Sequence, residues 1–428
     1  MKTNFEELSS AAPLRKDALE IVGAGLSAID TAGIINSTVR MTGGTLEIKD
    51  EKIRLEGIRR IFIVGIGKCA FEAGEALEKI IGERLTGGIT LDVRKGALHK
   101  IKSLAGTHPV MSDINIDATK EIIALLTGLS ESDLVLFIIS GGGSALLCQP
   151  NNFTCQDESM IVDCLVSSGV PIGELNTVRK HLSLARGGYL AQYSHPAKSV
   201  SLIFSDVPGD NLEFVASGPT MPDTTTVSDA EKILGKYDVW NKCGTVPLTL
   251  IETPKHKEIF ENVRNILVCS NRIALESMKE KAEALGYGVK IMDAKFSGEA
   301  GDVAARVLKD IGKVPGKTVL LYGGESTVKL RGSGGVGGRN QELALAALNG
   351  INPGQLIASV ATDGRDNTDH AGAIADEITK KHARETGAES SEYLKNNDSY
   401  SFFKKTGDFL LTGNTGSNVS DIIIAIKE

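Results

Sequence analysis

Residues 132–147 read SDLVLFIISGGGSALL, and this stretch decides the fold. Leu134 to Ile139 is an unbroken run of apolar β-formers, the pattern of a strand buried on both faces of a parallel sheet. The run stops at Ser140, passes through Gly141, Gly142 and Gly143 to Ser144, and leads into a small-residue helix start at Ala145–Leu147. Backbone amides unhindered by side chains, next to a helix N-terminus, form a site for an anion such as phosphate. A plain turn is the competing reading. The strand–glycine–helix order favours the anion, so Ser140, Gly141, Gly142, Gly143 and Ser144 are candidate phosphate-binding residues.

Upstream lies RRIFIVGIGKCAFEAGEAL, residues 59–77. Ile61–Val64 is predicted as a buried strand, GIGK as a tight turn and Cys69–Ile81 as an amphipathic helix. Gly65, Gly67 and Ala70 match the dinucleotide-binding pattern in its proper context, and Asp92 is a candidate ribose partner. Lys68 stands inside the turn, where it faces whatever anion the helix N-terminus holds. The turn is not a Walker A loop, because Phe62 replaces the first glycine and Cys69 the magnesium-binding hydroxyl. An earlier GAGLSA (Gly23–Ala28) follows an amphipathic helix rather than a strand, so it reads as helix packing. That helical periodicity runs from Pro13 to about Arg40. A turn at His108–Pro109 and a helix over Asn115–Leu126 lead back to the opening stretch. Strands and helices alternate, which predicts a doubly wound α/β domain.

Downstream, Thr154–Ser168 is predicted helical, and Asn176, Arg179, Lys180 and His181 crowd near the start of another helix. SVSLIFSDVPGDN is a strand ending in Asp206 and Asp210. Carboxylates at the carboxyl end of a parallel strand suit magnesium or proton abstraction. The pattern loosens over Trp240–His256, which places a boundary between domains 1–250 and 255–428. Beyond it, strands at Arg264–Cys269, Gly288–Met292 and Lys317–Tyr322 alternate with helices at Asn271–Leu285 and Gly298–Ile311. A mobile glycine-rich run then precedes Arg339–Asn340–Gln341–Glu342 at the start of a helix, which reads as a lid or ligand clamp. LIASVATDG ends at Asp363, and the following acids Asp366 and Asp369 lack the spacing of a calcium loop. A Gly/Asn/Ser/Thr turn precedes the terminal strand.

Composition narrows the classes. The net charge of -7 comes without any long basic run, which argues against nucleic acid or an anionic membrane as partner. No apolar stretch reaches the roughly 18 residues of a membrane span, and the N-terminus lacks a signal-peptide core. Six scattered cysteines without a CxxC pair read as free thiols in a reducing cytoplasm, not as a zinc site.

Taken in order, VGIGKCA, ISGGGSALL, LNTVRKHLSLARGG, SDVPGD, ASGPTMPD, YGGESTVKLRGSGGVGGRNQELALA, ATDGRDNTDHAGA and LTGNTGSNVSD resemble the MOFRL-type glycerate kinases over roughly residues 10–425. Asn367 and His370 depart from the family pattern, where Gly and Ala are expected. The resemblance implies a Rossmann-like N-terminal domain and a smaller C-terminal α/β (MOFRL) domain, with the active site in the cleft between them. It implies transfer of phosphate from ATP to the 2-hydroxyl of D-glycerate, with Mg²⁺ or another divalent cation, in a cytoplasmic enzyme whose partners are small molecules. It carries the cleft lysine and arginine onto Lys68 and Arg339. Asp206 and Asp363 are the candidate acceptor-side carboxylate and metal ligand, without assignment of which is which. Asn176, Lys180, Asp210, Glu325 and Asn340, which lie in or beside these motifs, complete the candidate substrate- and phosphate-binding set. Self-association into a homo-oligomer is compatible with the sequence. Two other classes compete. An NAD(P)-dependent hydroxypyruvate reductase would use Gly65–Ala70, but none of the seven histidines is a convincing catalytic one. A sugar-phosphate-sensing module would not require acidic strand ends in both halves.

Overall fold

The computed structural model describes residues 3–244, 248–331 and 334–428. They form two compact units, one of residues 31–205 and 211–268, the other of residues 1–30, 206–210 and 269–428. A single boundary at 250–255 therefore needs correction, because the chain enters the C-terminal unit three times; part of the expected linker, Thr245–Pro247, lies outside the described residues.

The first unit is built on a six-stranded sheet in the spatial order Ile101–Ala105, Gly87–Asp92, Arg60–Ile66, Asp133–Ser140, Lys198–Phe204, Val263–Cys269. The four pairings among the first five of these strands are parallel. The central Asp133–Ser140 strand is buried along its whole length, as its unbroken apolar run requires. Strand order reverses between Arg60–Ile66 and Asp133–Ser140, and doubly wound sheets bind ligands at the carboxyl ends of strands at such a switch point. Val263–Cys269 closes the edge of this sheet, whereas its sequence position beyond the loosened linker predicts a place in the second domain. The N-terminal helical pattern also stops early. It breaks into Pro13–Ala28 and Thr31–Thr38, and the chain then forms a three-stranded antiparallel sheet over Val39–Thr42, Thr45–Ile48 and Glu51–Arg54. Gly43 and Gly44, both at positive φ, turn the first hairpin.

Cys164 and Cys243 form a disulfide between the helices Cys155–Ser167 and Val239–Cys243, which corrects the expectation of six free thiols. Tertiary packing joins two cysteines 79 residues apart, a pairing no local spacing announces. The other four cysteines are buried thiols.

The second unit has a mixed six-stranded sheet ordered Gly288–Phe296, Thr318–Gly324, Asp421–Lys427, Gln355–Ala361, Gly372–Asp376, Phe409–Leu410. The terminal strand enters the middle of this sheet, antiparallel to both neighbours, with Asp421 in register with Gly324 on one side and Ala361 on the other. The residues following Gly324 and Ala361 therefore leave the sheet at the end where Asp421 enters it. Helix Pro13–Ala28 belongs to this unit. A methyl at Gly25 would lie 2.6 Å from Met278 Cγ, so GAGLSA is a close helix-packing contact with Asn271–Ala284. Arg15, 1% exposed, is held by Asp376 through Nε and Nη2, both at 2.7 Å, and meets Asp408 at 2.8 Å.

Candidate active site

At the switch point of the first unit two turns are stitched together. The register sets Ile66 beside Ile139, so GIGK and the triglycine loop emerge side by side. The Lys68 amide donates to Gly141 O at 3.0 Å, and the Cys69 amide donates to Ser140 Oγ at 3.3 Å. A methyl at Gly67 would lie 2.2 Å from Ser140 Oγ, and its φ is +115°, so only glycine fits. Ser140 is thus a clasp between the turns and is 3% exposed, with no hydroxyl to offer a ligand.

Gly142 has φ +80°, and a methyl there would meet Lys68 Cγ at 3.1 Å and His108 Cδ2 and Nε2 at 3.2 and 3.3 Å. Lys68 and His108 therefore flank the same glycine. Sequence reasoning placed His108 in a turn but passed over it as a site residue; the strand Ile101–Ala105 before that turn is what carries it to the sheet's carboxyl end. The helix expected after the loop is a single turn, Gly143–Leu146, too short to bring an extended helix dipole to the loop. Ser144 Oγ is 2.9 Å from Ser217 Oγ, which donates to Asn176 Oδ1 at 2.8 Å. This chain joins Asn176 to the loop through Ser217, a second residue the sequence reading missed.

Lys180 is not brought to this group of residues. It lies in the last turn of helix Ile172–His181, not near its start, whereas Asn176 sits at the middle of that helix. Lys180 is 3% exposed and bonded to Asp223 at 3.2 Å. Burial alone would raise the Asp223 carboxyl, but the Lys180 charge and the Thr225 hydrogen bonds leave it below the ordinary range. Asp92 is likewise committed. It is fully buried and accepts from the amides of Phe71 at 3.0 Å and Val93 at 2.6 Å. The acid that a dinucleotide ribose would meet instead caps the helix Ala70–Ile81.

The second unit gathers Arg339, Glu325, Asp363, Asp206 and Asp421 around one sheet end. Arg339 opens the helix Arg339–Leu348. Its Nε and Nη2 donate to Asp421 at 2.6 and 3.0 Å, and its Nη1 meets Glu325 at 2.5 Å. Burial pushes the Asp421 carboxyl up to about 7, against the pull of the Arg339 guanidinium. Asp363 follows the strand Gln355–Ala361, and its carboxylate accepts from the Arg365 amide at 3.0 Å. Asp206 accepts from Asn418 Nδ2 at 3.4 Å, and its carbonyl accepts from the Ser420 hydroxyl. The Thr415 amide reaches Asp363 O at 3.5 Å, so one loop, LTGNTGSNVSD, touches both acids. Asp210 sits at the end of the Asp206–Asp210 crossing, with φ +55°.

Asn340 is a scaffold residue. It is 1% exposed; its amide donates to Asp366 Oδ1 at 3.0 Å and its side chain accepts from Ser359. Asp366 also takes the Gln341 amide at 2.8 Å, and so occupies these two amides at the N-terminus of the helix. Gly332 and Ser333 of the expected lid lie outside the described residues. The remainder is tied down: Gly335 N donates to Asn396 O at 3.0 Å and Tyr400 N to Val336 O at 2.9 Å. A methyl at Gly338 would strike Asp366 at 2.2 Å, so this glycine serves close approach rather than mobility. The segment helps to line a cavity of about 380 Å³ with Glu325, Arg339, Arg365, Asn367 and Ser399.

Among the described residues no group of three or more His, Cys, Asp or Glu is arranged to hold a metal. Nor is any single helix there long and apolar enough to cross a membrane.

Family models match at two places, the one described as Domain of unknown function (DUF4147) over residues 17–250 and the MOFRL family over residues 318–421. The chain is 36% identical to the glycerate 2-kinase of Pyrococcus horikoshii, covering 97% of this chain and 98% of that protein. It is 37% identical to a putative hydroxypyruvate reductase of Agrobacterium vitis over 85% of this chain and 86% of the other. The crystal structure of glycerate kinase from Thermotoga maritima superposes with a TM-score of 0.82 at 34% identity, covering 96% of this chain and 99% of that one.

Proposed function

Because the chain belongs to the MOFRL-type glycerate kinase family, we propose that it transfers the γ-phosphoryl group of ATP to the 2-hydroxyl of D-glycerate. The observation that carries this reading is the joining of the Lys68 turn to the triglycine loop at the sheet's switch point, with the Lys68 amide on Gly141 O and its side chain against Gly142. Phosphoryl transfer needs positioning and charge neutralisation more than covalent chemistry. Lys68 and the loop amides neutralise phosphate or carboxylate oxygens on the first unit. Arg339 supplies a second fixed cation on the other unit. Asp206 and Asp363 are hard oxygen donors of the kind that hold Mg²⁺ when phosphate oxygens complete the shell. When bound, Mg²⁺ would offset the charge that builds on the phosphate oxygens. The carboxylate not so engaged accepts the proton of the attacking hydroxyl.

The buried Asp92 disfavours the reductase alternative, since the acid proposed for a nicotinamide ribose is committed to the amides of Phe71 and Val93. Purified protein given D-glycerate, ATP and Mg²⁺ is expected to release ADP. Enolase added alone should then convert the product directly, which only a 2-phosphoglycerate allows. NADH oxidation with hydroxypyruvate and no ADP release would overturn the proposal.

Three substitutions probe the assigned parts. Gly142→Val introduces strain of roughly 1–3 kcal/mol at a positive φ and pushes against Lys68 and His108. It is expected to lower kcat/KM for ATP by about 100-fold, the scale of a misplacement near 1 Å, with the circular dichroism of the parent. Normal turnover in that variant would reduce the loop to a connection. Asparagine at Asp206 or at Asp363 is expected to cut turnover, and raised Mg²⁺ should partly restore only the metal-side variant. Full activity in both single variants would place the two acids outside the site.

A further inference from the structure

Arg339 carries two carboxylates that differ in everything that decides whether a partner can leave. Asp421 is 1% exposed at its side chain, whereas Glu325 is 42% exposed. Asp421 is the first residue of a central strand, fixed by register against Gly324 and Ala361. Glu325 stands just beyond its strand, Thr318–Gly324. Asp421 binds the guanidinium side-on, through Nε at 2.6 Å and Nη2 at 3.0 Å. Of the five N–H donors of a guanidinium, this leaves the Nη1 pair and one on Nη2, the edge that matches a second carboxylate or a phosphate. Glu325 meets that edge at Nη1.

Two of the nearby helix amides, those of Asn340 and Gln341, are already taken by Asp366. We propose that Asp421 is a positioning residue that holds Arg339 in place, and that Glu325 is an exchangeable occupant of its remaining edge, displaced by the carboxylate or phosphate of the substrate. Glu325 then acts as an internal competitor for the anion, while Asp421 stays bound throughout. Removing the two carboxylates has opposite consequences: one loses the aim of the arginine, the other frees its binding edge.

The inference rests on the reading of Arg339 as a phosphoryl-transfer arginine, and the test separates the two. Steady-state kinetics with glycerate, ATP and Mg²⁺ are measured for Arg339→Ala, Asp421→Asn and Glu325→Gln. Asp421→Asn is expected to lower kcat about 100-fold, as a misplaced catalytic group does. Glu325→Gln is expected to lower the KM of an anionic substrate by about 2- to 5-fold, the range of a half-exposed ion pair. Methylguanidinium added to Arg339→Ala should raise its rate at least 10-fold over the unrescued variant, and should fail to do so in Arg339→Ala/Asp421→Asn. A merely structural Asp421 would not govern that rescue. Should Asp421→Asn not fold, Asp421→Glu, which keeps the charge one methylene away, replaces it with the same expected fall in kcat. Full activity in Arg339→Ala would remove the catalytic reading and this inference with it. Loss in Arg339→Ala with unchanged kcat in a folded Asp421 variant, or a raised KM in Glu325→Gln, would overturn the inference alone.

Discussion

Lys68→Ala is expected to lower kcat/KM at least about 100-fold, equivalent to roughly 2.7 kcal/mol of transition-state stabilisation. The backbone at this position is fixed by the hydrogen bond that the Lys68 amide donates to Gly141 O and by the glycine before it. Alanine keeps that amide, so the turn and the triglycine loop remain stitched and the loss belongs to the ammonium group. A fixed cation beside open amides is worth most when charge spreads over the phosphoryl oxygens, so kcat should fall more than KM rises. Arginine is not an equivalent replacement, because its planar fork does not reproduce a compact point charge in a tight turn. Steady-state kinetics on a variant whose melting matches the parent decides the matter. Parental kcat/KM in that protein would remove Lys68 from the mechanism, and a rise in KM alone would make it a uniform binder of substrate.

Replacing Arg15 by Leu is expected to cost about 3–5 kcal/mol of stability, the scale for leaving a buried ion without its partner. The case is severe because two carboxylates share this guanidinium. Asp376 holds it side-on and Asp408 meets it at 2.8 Å, and Asp408 is fully buried. Without Arg15, His382 Nδ1, 3.1 Å from Asp408, remains as a nearby group. Burial alone would raise the Asp376 carboxyl, but the hydrogen bond and charge of Arg15 outweigh it and hold the group below its ordinary value. The sign of the pH dependence follows. A depressed carboxyl contributes its stability above the unfolded-state value of about 3.9 and loses it as pH falls through the native one. Acidification below about pH 4 should therefore erase part of the difference between Arg15→Leu and the parent. Urea unfolding followed at pH 7 and pH 3.5 measures both. A change under 1 kcal/mol at pH 7 would mean that helix Pro13–Ala28 is held by its apolar face alone.

Local pattern determined much of this molecule. The apolar run Leu134–Ile139, the glycines after it and the GIGK turn specify a buried parallel strand and two tight turns side by side at its carboxyl end. Those features depend on neighbours in sequence, through side-chain period and the steric needs of glycine. Motif order likewise carried the family and put Lys68 and Arg339 forward as the residues to test.

Tertiary structure decided which polar groups remained to do chemistry. Asp92, Lys180, Asn340 and Ser140 all stand in suggestive local contexts, yet each is buried and committed to a partner remote in sequence, so none is available to a ligand. Asp421 shows the reverse. Nothing in NVSD marks it, because its role exists only where the terminal strand enters the middle of the sheet and meets a guanidinium 82 residues away in the chain. The Cys164–Cys243 disulfide, the edge strand Val263–Cys269 and the docking of Pro13–Ala28 in the C-terminal unit share that cause. A sequence records which groups can pair, but burial and strand register select the pairs that form, since a buried charge or strand edge must find its partner wherever the chain brings one.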